Sequence, residues 1–140
     1  MIPYKSIKIS QLNTLGENTL ASHLKMKVVD IGEDFITMSM PVTFEVHQPL
    51  GMLHGGAVAA LAENVASLAG NLVVTHLNKA CLGLSLNTSH LKSVREGMIF
   101  ATAKAIHLGK STQVWEIRTL ADNDKLINIS RMTLAVVDKK

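Results

Sequence analysis

Gln48-Pro49-Leu50-Gly51-Met52-Leu53-His54-Gly55-Gly56-Ala57 runs directly into Val58-Ala59-Ala60-Leu61-Ala62-Glu63-Asn64-Val65-Ala66-Ser67-Leu68-Ala69-Gly70-Asn71-Leu72-Val73-Val74. A loop rich in Pro and Gly gives way at Gly55 to a run of Ala, Leu and Val with no internal proline, long enough for about five helical turns. The run is apolar nearly all round, whereas a surface helix would carry a polar face. It is about the length of a membrane span, but Glu63, Asn64, Ser67 and Asn71 interrupt it. That makes it a buried helix of a soluble domain, covered by a sheet, by a second subunit, or by both.

Four segments with β patterning follow: Ala80–Leu91, Met98–His107, Thr112–Leu120 and Lys125–Val137. Turn chemistry joins them at Arg95-Glu96-Gly97, Leu108-Gly109-Lys110 and Ala121-Asp122-Asn123-Asp124, at spacings suited to antiparallel hairpins. Upstream, Leu24–Val29 and Phe35–Met40 flank an Asp30–Asp34 turn and predict an opening hairpin. Before it, Ser10 is the expected N-cap of a short helix, Gln11–Leu15. The sum is an α+β fold, a mostly antiparallel sheet wrapped around one long central helix, in a single domain over residues 1–140.

Composition agrees with this. The chain has 140 residues, 47% hydrophobic and 18% charged, with mean hydropathy +0.24. Disorder is excluded, and one domain is the natural size. The aromatic residues are only Tyr4, Phe35, Phe44, Phe100 and Trp115, so the core is aliphatic and Met-rich, and part of the apolar surplus is available to cover a partner chain. Cys81 is alone, which excludes an intrachain disulfide and points to a reducing, cytoplasmic setting. Lys5 and Lys8 precede no apolar signal segment. The net charge of +3 is scattered, with neither basic runs nor interleaved aromatics, so neither nucleic acid nor a membrane surface is an expected partner. Phosphate-loop, dinucleotide and nucleophile-elbow motifs are absent, and His23, His47 and His76 lack metal-ligand spacing. No cofactor or metal is expected.

Glu63 carries the most chemical information. It has apolar neighbours and no Lys or Arg within two turns along the helix; a carboxylate so placed either has a catalytic task or emerges at an exposed edge. Ser67 follows one turn later on the same face, where it can hold a water or the carboxylate, or merely pack. His54-Gly55-Gly56 places the unpaired N–H groups of a helix start, and its dipole, before an open approach. That is an oxyanion hole in outline; it is equally a common Gly-rich turn. Gln48 offers a further polar contact from the entering loop. Gly55 and Glu63 are separated by about 12 Å of helical rise, too far for both to reach one carbonyl group. If they act together, they come from two copies with antiparallel helices, and the site is composite. His90 with Lys92 and Arg95, and His107 with Gly109-Lys110-Ser111, are either phosphate-holding clusters or solvated turn residues.

These residues resemble a known family. Gln48 to Ala57, Leu61 to Ser67, Gly83 to Asn87, Ser89 to Lys92, Arg95 to Gly97, His107 to Ser111 and Gln113 to Trp115 are similar, across nearly the whole chain, to hotdog-fold acyl-CoA thioesterases of the Arthrobacter-type 4-hydroxybenzoyl-CoA thioesterase branch. Similarity is greatest to the bacterial members that hydrolyse 1,4-dihydroxy-2-naphthoyl-CoA in menaquinone synthesis and to their enterobactin-pathway proofreading relatives, which implies an aryl-CoA substrate of the 1,4-dihydroxy-2-naphthoyl or benzoyl type. The resemblance implies that Glu63 attacks the thioester carbonyl or activates water. It implies that Gly55, with Gln48 and His54, polarises the carbonyl and supports the leaving thiolate, and that Ser67 takes a position often held by Thr. His90, Lys92, Gly109, Lys110 and Ser111 fall where CoA binds, with Lys92 standing where relatives often carry Arg. It further implies a homodimer with composite sites, assembled into a tetramer. The alternatives are a medium-chain acyl-CoA or carrier-protein thioesterase, and a non-catalytic acyl-CoA binding module. A hydratase of this fold is disfavoured because His54 has no Asp partner nearby.

Overall fold

The long apolar run is a helix over Gly55–Val74 (α3). In the computed structural model, which describes residues 1–140, it lies on one six-stranded sheet made of β1 (Lys27–Ile31), β2 (Phe35–Pro41), β3 (Lys79–His90), β4 (Met98–Leu108), β5 (Thr112–Ala121) and β6 (Leu126–Asp138). The strand order is β1-β2-β4-β5-β6-β3, and every neighbouring pair is antiparallel. The expected strands are all present: β2 to β6 end within one residue of their predicted limits, while β1 begins three residues after Leu24, and α3 packs against β2 to β6. The Arg95-Glu96-Gly97 turn does not close the expected hairpin, because β3 pairs with β6 at the sheet edge while β4 lies between β2 and β5. This is the hotdog arrangement of a sheet around one central helix.

Helical periodicity explains how α3 seats. Val58, Leu61, Ala62, Val65, Ala66, Ala69 and Gly70 form the buried stripe, facing Ile36, Met38, Ala101, Ala103, Trp115, Ile117, Met132 and Leu134 of the sheet. Fully burying an aliphatic side chain such as Leu61 stabilises the fold by roughly 1.5–3 kcal/mol. Small residues let the helix approach closely: a Cβ on Gly70 would come within 2.4 Å of Leu134 Cδ1 and 2.7 Å of Gln113 Oε1.

Two N-terminal features differ from expectation. The first helix, α1, spans Ile9–Leu15 with Lys8, not Ser10, at its N-cap. The Lys8 carbonyl takes the N–H groups of Gln11 and Leu12, and Ile9 packs against the core; that apolar contact draws the helix start two residues ahead of the expected one. A second short helix, α2 (Leu20–His23), was not anticipated, although Thr19 and Ser22 form its start, the Thr19 N–H donating to Ser22 Oγ at 3.3 Å.

Strand β3 pairs with β6 on one side only and forms an edge of the sheet. Its outer half is apolar where an unprotected edge is normally charged: Leu82 and Leu84 are 58% and 62% exposed. The register slips between Gly83 and Ser85, a bulge that adds local twist.

Cys81 is buried near the start of β3, and burial pushes its thiol above the usual range. The native protein is therefore expected to resist Ellman's reagent and to titrate one thiol after denaturation. Rapid native labelling would contradict this placement. The same property leaves a thiol-release assay free of background from the protein.

Candidate active site

The start of α3 is built to leave one backbone donor free. His54 is extended (φ −68°, ψ 128°), and its Nδ1 accepts the Gly56 N–H at 2.8 Å. The His54 carbonyl accepts from Ala57 at 3.0 Å and Val58 at 3.3 Å. Among the first helical N–H groups, that of Gly55 has no partner within the chain. The entering loop turns through Gly51 at φ 76°, a left-handed conformation suited to glycine. In that turn Gln48 Oε1 accepts the Leu50 N–H. With its oxygen so engaged, the Gln48 side chain keeps its NH₂ hydrogens free to donate. The loop is tied down by Leu53 N–H to Val94 O (2.7 Å) and His54 N–H to Val46 O (2.8 Å).

Gln48, Gly55, Val58, His90 and Lys92 line one cavity of about 300 Å³. The structure thus brings together four of the residues singled out in the sequence, from the loop, the helix start and the end of β3. His54 is not among them; it is exposed, with its imidazole turned back as the helix cap.

His90 is held from behind. A Cβ on Gly55 would lie 2.7 Å from His90 Nε2, so the ring stands directly against the helix start. Its other nitrogen, Nδ1, is 3.1 Å from Asn128 Nδ2. Asn128 is fully buried; its Nδ2 also donates to Thr88 Oγ1 at 2.7 Å, and its Oδ1 accepts from Ser130 Oγ at 2.8 Å. Ser130 and Thr88 hydroxyls are 2.9 Å apart. As the amide stands, its two hydrogens face Thr88 Oγ1 and His90 Nδ1, and its oxygen faces the Ser130 hydroxyl, which donates to that oxygen or to Thr88 Oγ1. Turning the amide over leaves one of its hydrogens without an acceptor in a buried position, a penalty of about 1–3 kcal/mol. Nδ1 of His90 is therefore an acceptor, and Nε2 carries the hydrogen.

Glu63 lies elsewhere. It is exposed on a single chain, the edge position that its apolar neighbours along the helix had left open. Its Oε1 would be 2.8 Å from a Cβ on Gly83, so glycine at the β3 bulge makes room for it. Glu63, Asn64 and Ser67 line a cavity of about 230 Å³ with Leu20, Met26 and Ala60. This space adjoins one of about 380 Å³ under α1 and α2, the two sharing Met26, Asn64 and Ser67. Ser67 thus sits beside Glu63 without bonding to it. The Asn64 amide donates only to Met38 Sδ at 3.4 Å, a weak acceptor.

The hairpin residues Gly109, Lys110 and Ser111 are not near His90 and Lys92 in the same chain. Register places Asn128 opposite both His90 and Thr119, and Ala135 opposite both Leu82 and Thr112, so the two clusters occupy opposite ends of the sheet, separated by about 23 Å along the strands. Asn128, Ser130 and Thr88 escaped the sequence reading. Their signal was present in β6, where Asn128 and Ser130 fall in phase with inward-facing Met132 and Leu134.

Comparison with known proteins yields a consistent set of relatives. A family model described as the thioesterase superfamily matches residues 50–128. The 1,4-dihydroxy-2-naphthoyl-CoA hydrolase of Escherichia coli is 37% identical over 98% of this chain and 100% of its own, while several curated relatives of similar identity carry names no finer than esterase. A solved thioesterase structure from Haemophilus influenzae superposes with a TM-score of 0.94, at 41% identity over 99% of this chain and 96% of its own. A Staphylococcus aureus thioesterase, TM-score 0.81 and 38% identical over 84% of this chain and 98% of its own, has been solved with a glutamine and with a glutamate changed to alanine. Those two residues are as far apart in its sequence as Gln48 and Glu63 are here.

Proposed function

The chain belongs to the thioesterase superfamily and is a thioester hydrolase, and from this we propose that it cleaves CoA esters of hydroxylated aryl acids, of the 1,4-dihydroxy-2-naphthoyl or benzoyl type, at a site shared by two copies of the chain. The observation that carries the shared site is the separation of its halves: the free Gly55 N–H opens into one cavity with Gln48 and His90, while Glu63 borders another beside the unpaired β3 edge. Antiparallel pairing of two β3 edges covers Leu82 and Leu84, runs the two α3 helices in opposite directions, and carries Glu63 of one copy toward Gly55 of the other. It also moves the Gly109–Ser111 hairpin of one copy toward the His90 and Lys92 end of the other, which suits a CoA nucleotide held between subunits.

In this reading the thioester carbonyl accepts from the Gly55 N–H and the Gln48 amide, both aimed where negative charge develops. Glu63 attacks the carbonyl carbon or takes a proton from an attacking water, with Ser67 placed to orient that water. If Glu63 attacks, the C–S bond breaks to leave a mixed anhydride that water then hydrolyses, freeing the carboxylate. If water attacks, the C–S bond breaks as the tetrahedral adduct collapses. By either route one water is consumed, the leaving thiolate takes up a proton, and the products are the free acid and the CoA thiol. His54 contributes by capping α3 and so leaving Gly55 free. Lys92 and Lys110 supply positive charge to CoA phosphates.

The aryl preference is supported by the cavity beside Glu63, where Asn64 and Ser67 retain hydrogen-bonding capacity among apolar side chains. A ring bearing hydroxyls satisfies those groups; a plain alkyl chain strands them. The test is kcat/KM across 1,4-dihydroxy-2-naphthoyl-, benzoyl-, hexanoyl- and octanoyl-CoA and a carrier-protein thioester. The hydroxylated aryl ester is expected to lead the alkyl esters by about tenfold or more. Faster turnover of the alkyl or carrier-protein esters would reject the aryl assignment, and saturable binding without thiol release would favour a binding module.

A further inference from the structure

We propose that Asn128 is a positioning residue for hydrolysis: its buried amide holds His90 in the Nε2–H form, so that the ring N–H joins the Gly55 N–H and the Gln48 amide as a third donor facing the thioester carbonyl. The proposal rests on the reading of Gly55 as the carbonyl site.

Asn128 does not touch the cavity. It acts through a ring that does, and the geometry restricts that ring on both sides. Nε2 faces Gly55, where even a methyl group would come within 2.7 Å, and Nδ1 faces the Asn128 amide at 3.1 Å. The tautomer matters because the opposite form would turn the Nε2 lone pair toward the helix start. A lone pair there attracts the Gly55 N–H and repels a carbonyl oxygen; a hydrogen there leaves the Gly55 N–H free and adds to it. The polar group of Thr88, Asn128 and Ser130 lies on the inward face of the sheet, with buried Thr119 opposite Asn128 and with Ile117, Met132 and Leu134 beside it. Packing alone would be served by apolar side chains, whereas a two-hydrogen donor shared between Thr88 and His90 fixes the ring.

The test combines histidine ¹⁵N spectra with kinetics on the full chain. His90, assigned by the loss of its signals in His90→Gln, is expected to be protonated at Nε2. Asn128→Asp replaces the donor by an acceptor and is expected to move the proton to Nδ1, lowering kcat about 10- to 100-fold while KM for the CoA ester stays within about threefold. Asn128→Leu, which introduces no buried charge, is expected to abolish the single-tautomer spectrum with a similar fall in kcat. His90→Gln supplies an N–H donor that needs no tautomer, so adding Asn128→Leu to it should cost no further kcat. A native His90 protonated at Nδ1, a tautomer change without loss of kcat, or an equal loss in the His90→Gln background would each overturn the proposal. Full activity of Gly55→Ala would instead remove the carbonyl-site reading on which it stands.

Discussion

Glu63→Gln is expected to lower kcat by about a thousandfold while leaving the fold intact. Glutamine keeps the size of the side chain and removes both the nucleophilic oxygen and the base. On a single chain Glu63 is exposed and makes neither a salt bridge nor a side-chain hydrogen bond, so its replacement falls among surface changes worth about 0.5 kcal/mol or less. The measurement is steady-state thiol release together with thermal unfolding. A kcat within a few fold of the parent, with an unchanged melting curve, would strip Glu63 of its assigned role. A large loss of both activity and Tm would mean that the carboxylate is a structural group.

The second large effect is one of mixing. Gly55→Ala puts a methyl group 2.7 Å from His90 Nε2 at the carbonyl site, and is expected to reduce kcat/KM about a hundredfold. Homodimers of Gly55→Ala and of Glu63→Gln are then both nearly inactive. Unfolded and refolded together in equal amounts, they form heterodimers in which one site combines the intact Glu63 of one chain with the intact Gly55 of the other. Random reassociation restores about a quarter of parental activity, since half of the dimers are mixed and each mixed dimer has one good site. A site contained within a single chain recovers nothing, because each chain carries its own lesion into it. Recovery is thus a direct reading of whether the two halves belong to different copies.

Much of this was legible in the sequence because the signals were local. The proline-free apolar run after Gly55 marked α3 to the residue, and the turn residues set the β1–β2, β4–β5 and β5–β6 hairpins, whereas Arg95-Glu96-Gly97 joins two strands that do not pair. The sequence left the exposure of Glu63 open: apolar neighbours along a helix indicate what surrounds a carboxylate, not whether the same chain supplies the cover. The separation of Lys110 from Lys92 was not legible, because it depends on strand order and register rather than on proximity in sequence. The cluster behind His90 was hidden for the same reason. Thr88, Asn128 and Ser130 are ordinary strand residues until β3 and β6 pair and place them side by side. Ser10 failed as a helix cap because the contact made by Ile9 outweighed the local preference for a polar start.

With the site shared between two copies as proposed, the exposed β3 edge makes protein concentration a variable of catalysis. A site that needs two copies exists only in the associated fraction, so at high dilution the rate per chain falls as the chain is diluted further, and initial rates become second order in protein. Substrate, bridging the copies, pulls the equilibrium back toward association and makes the apparent affinity for CoA esters depend on how much protein is present. On the proposed two-copy site, Leu82 and Leu84, which burden the isolated chain with an apolar edge, thereby set the concentration below which it ceases to work as an enzyme.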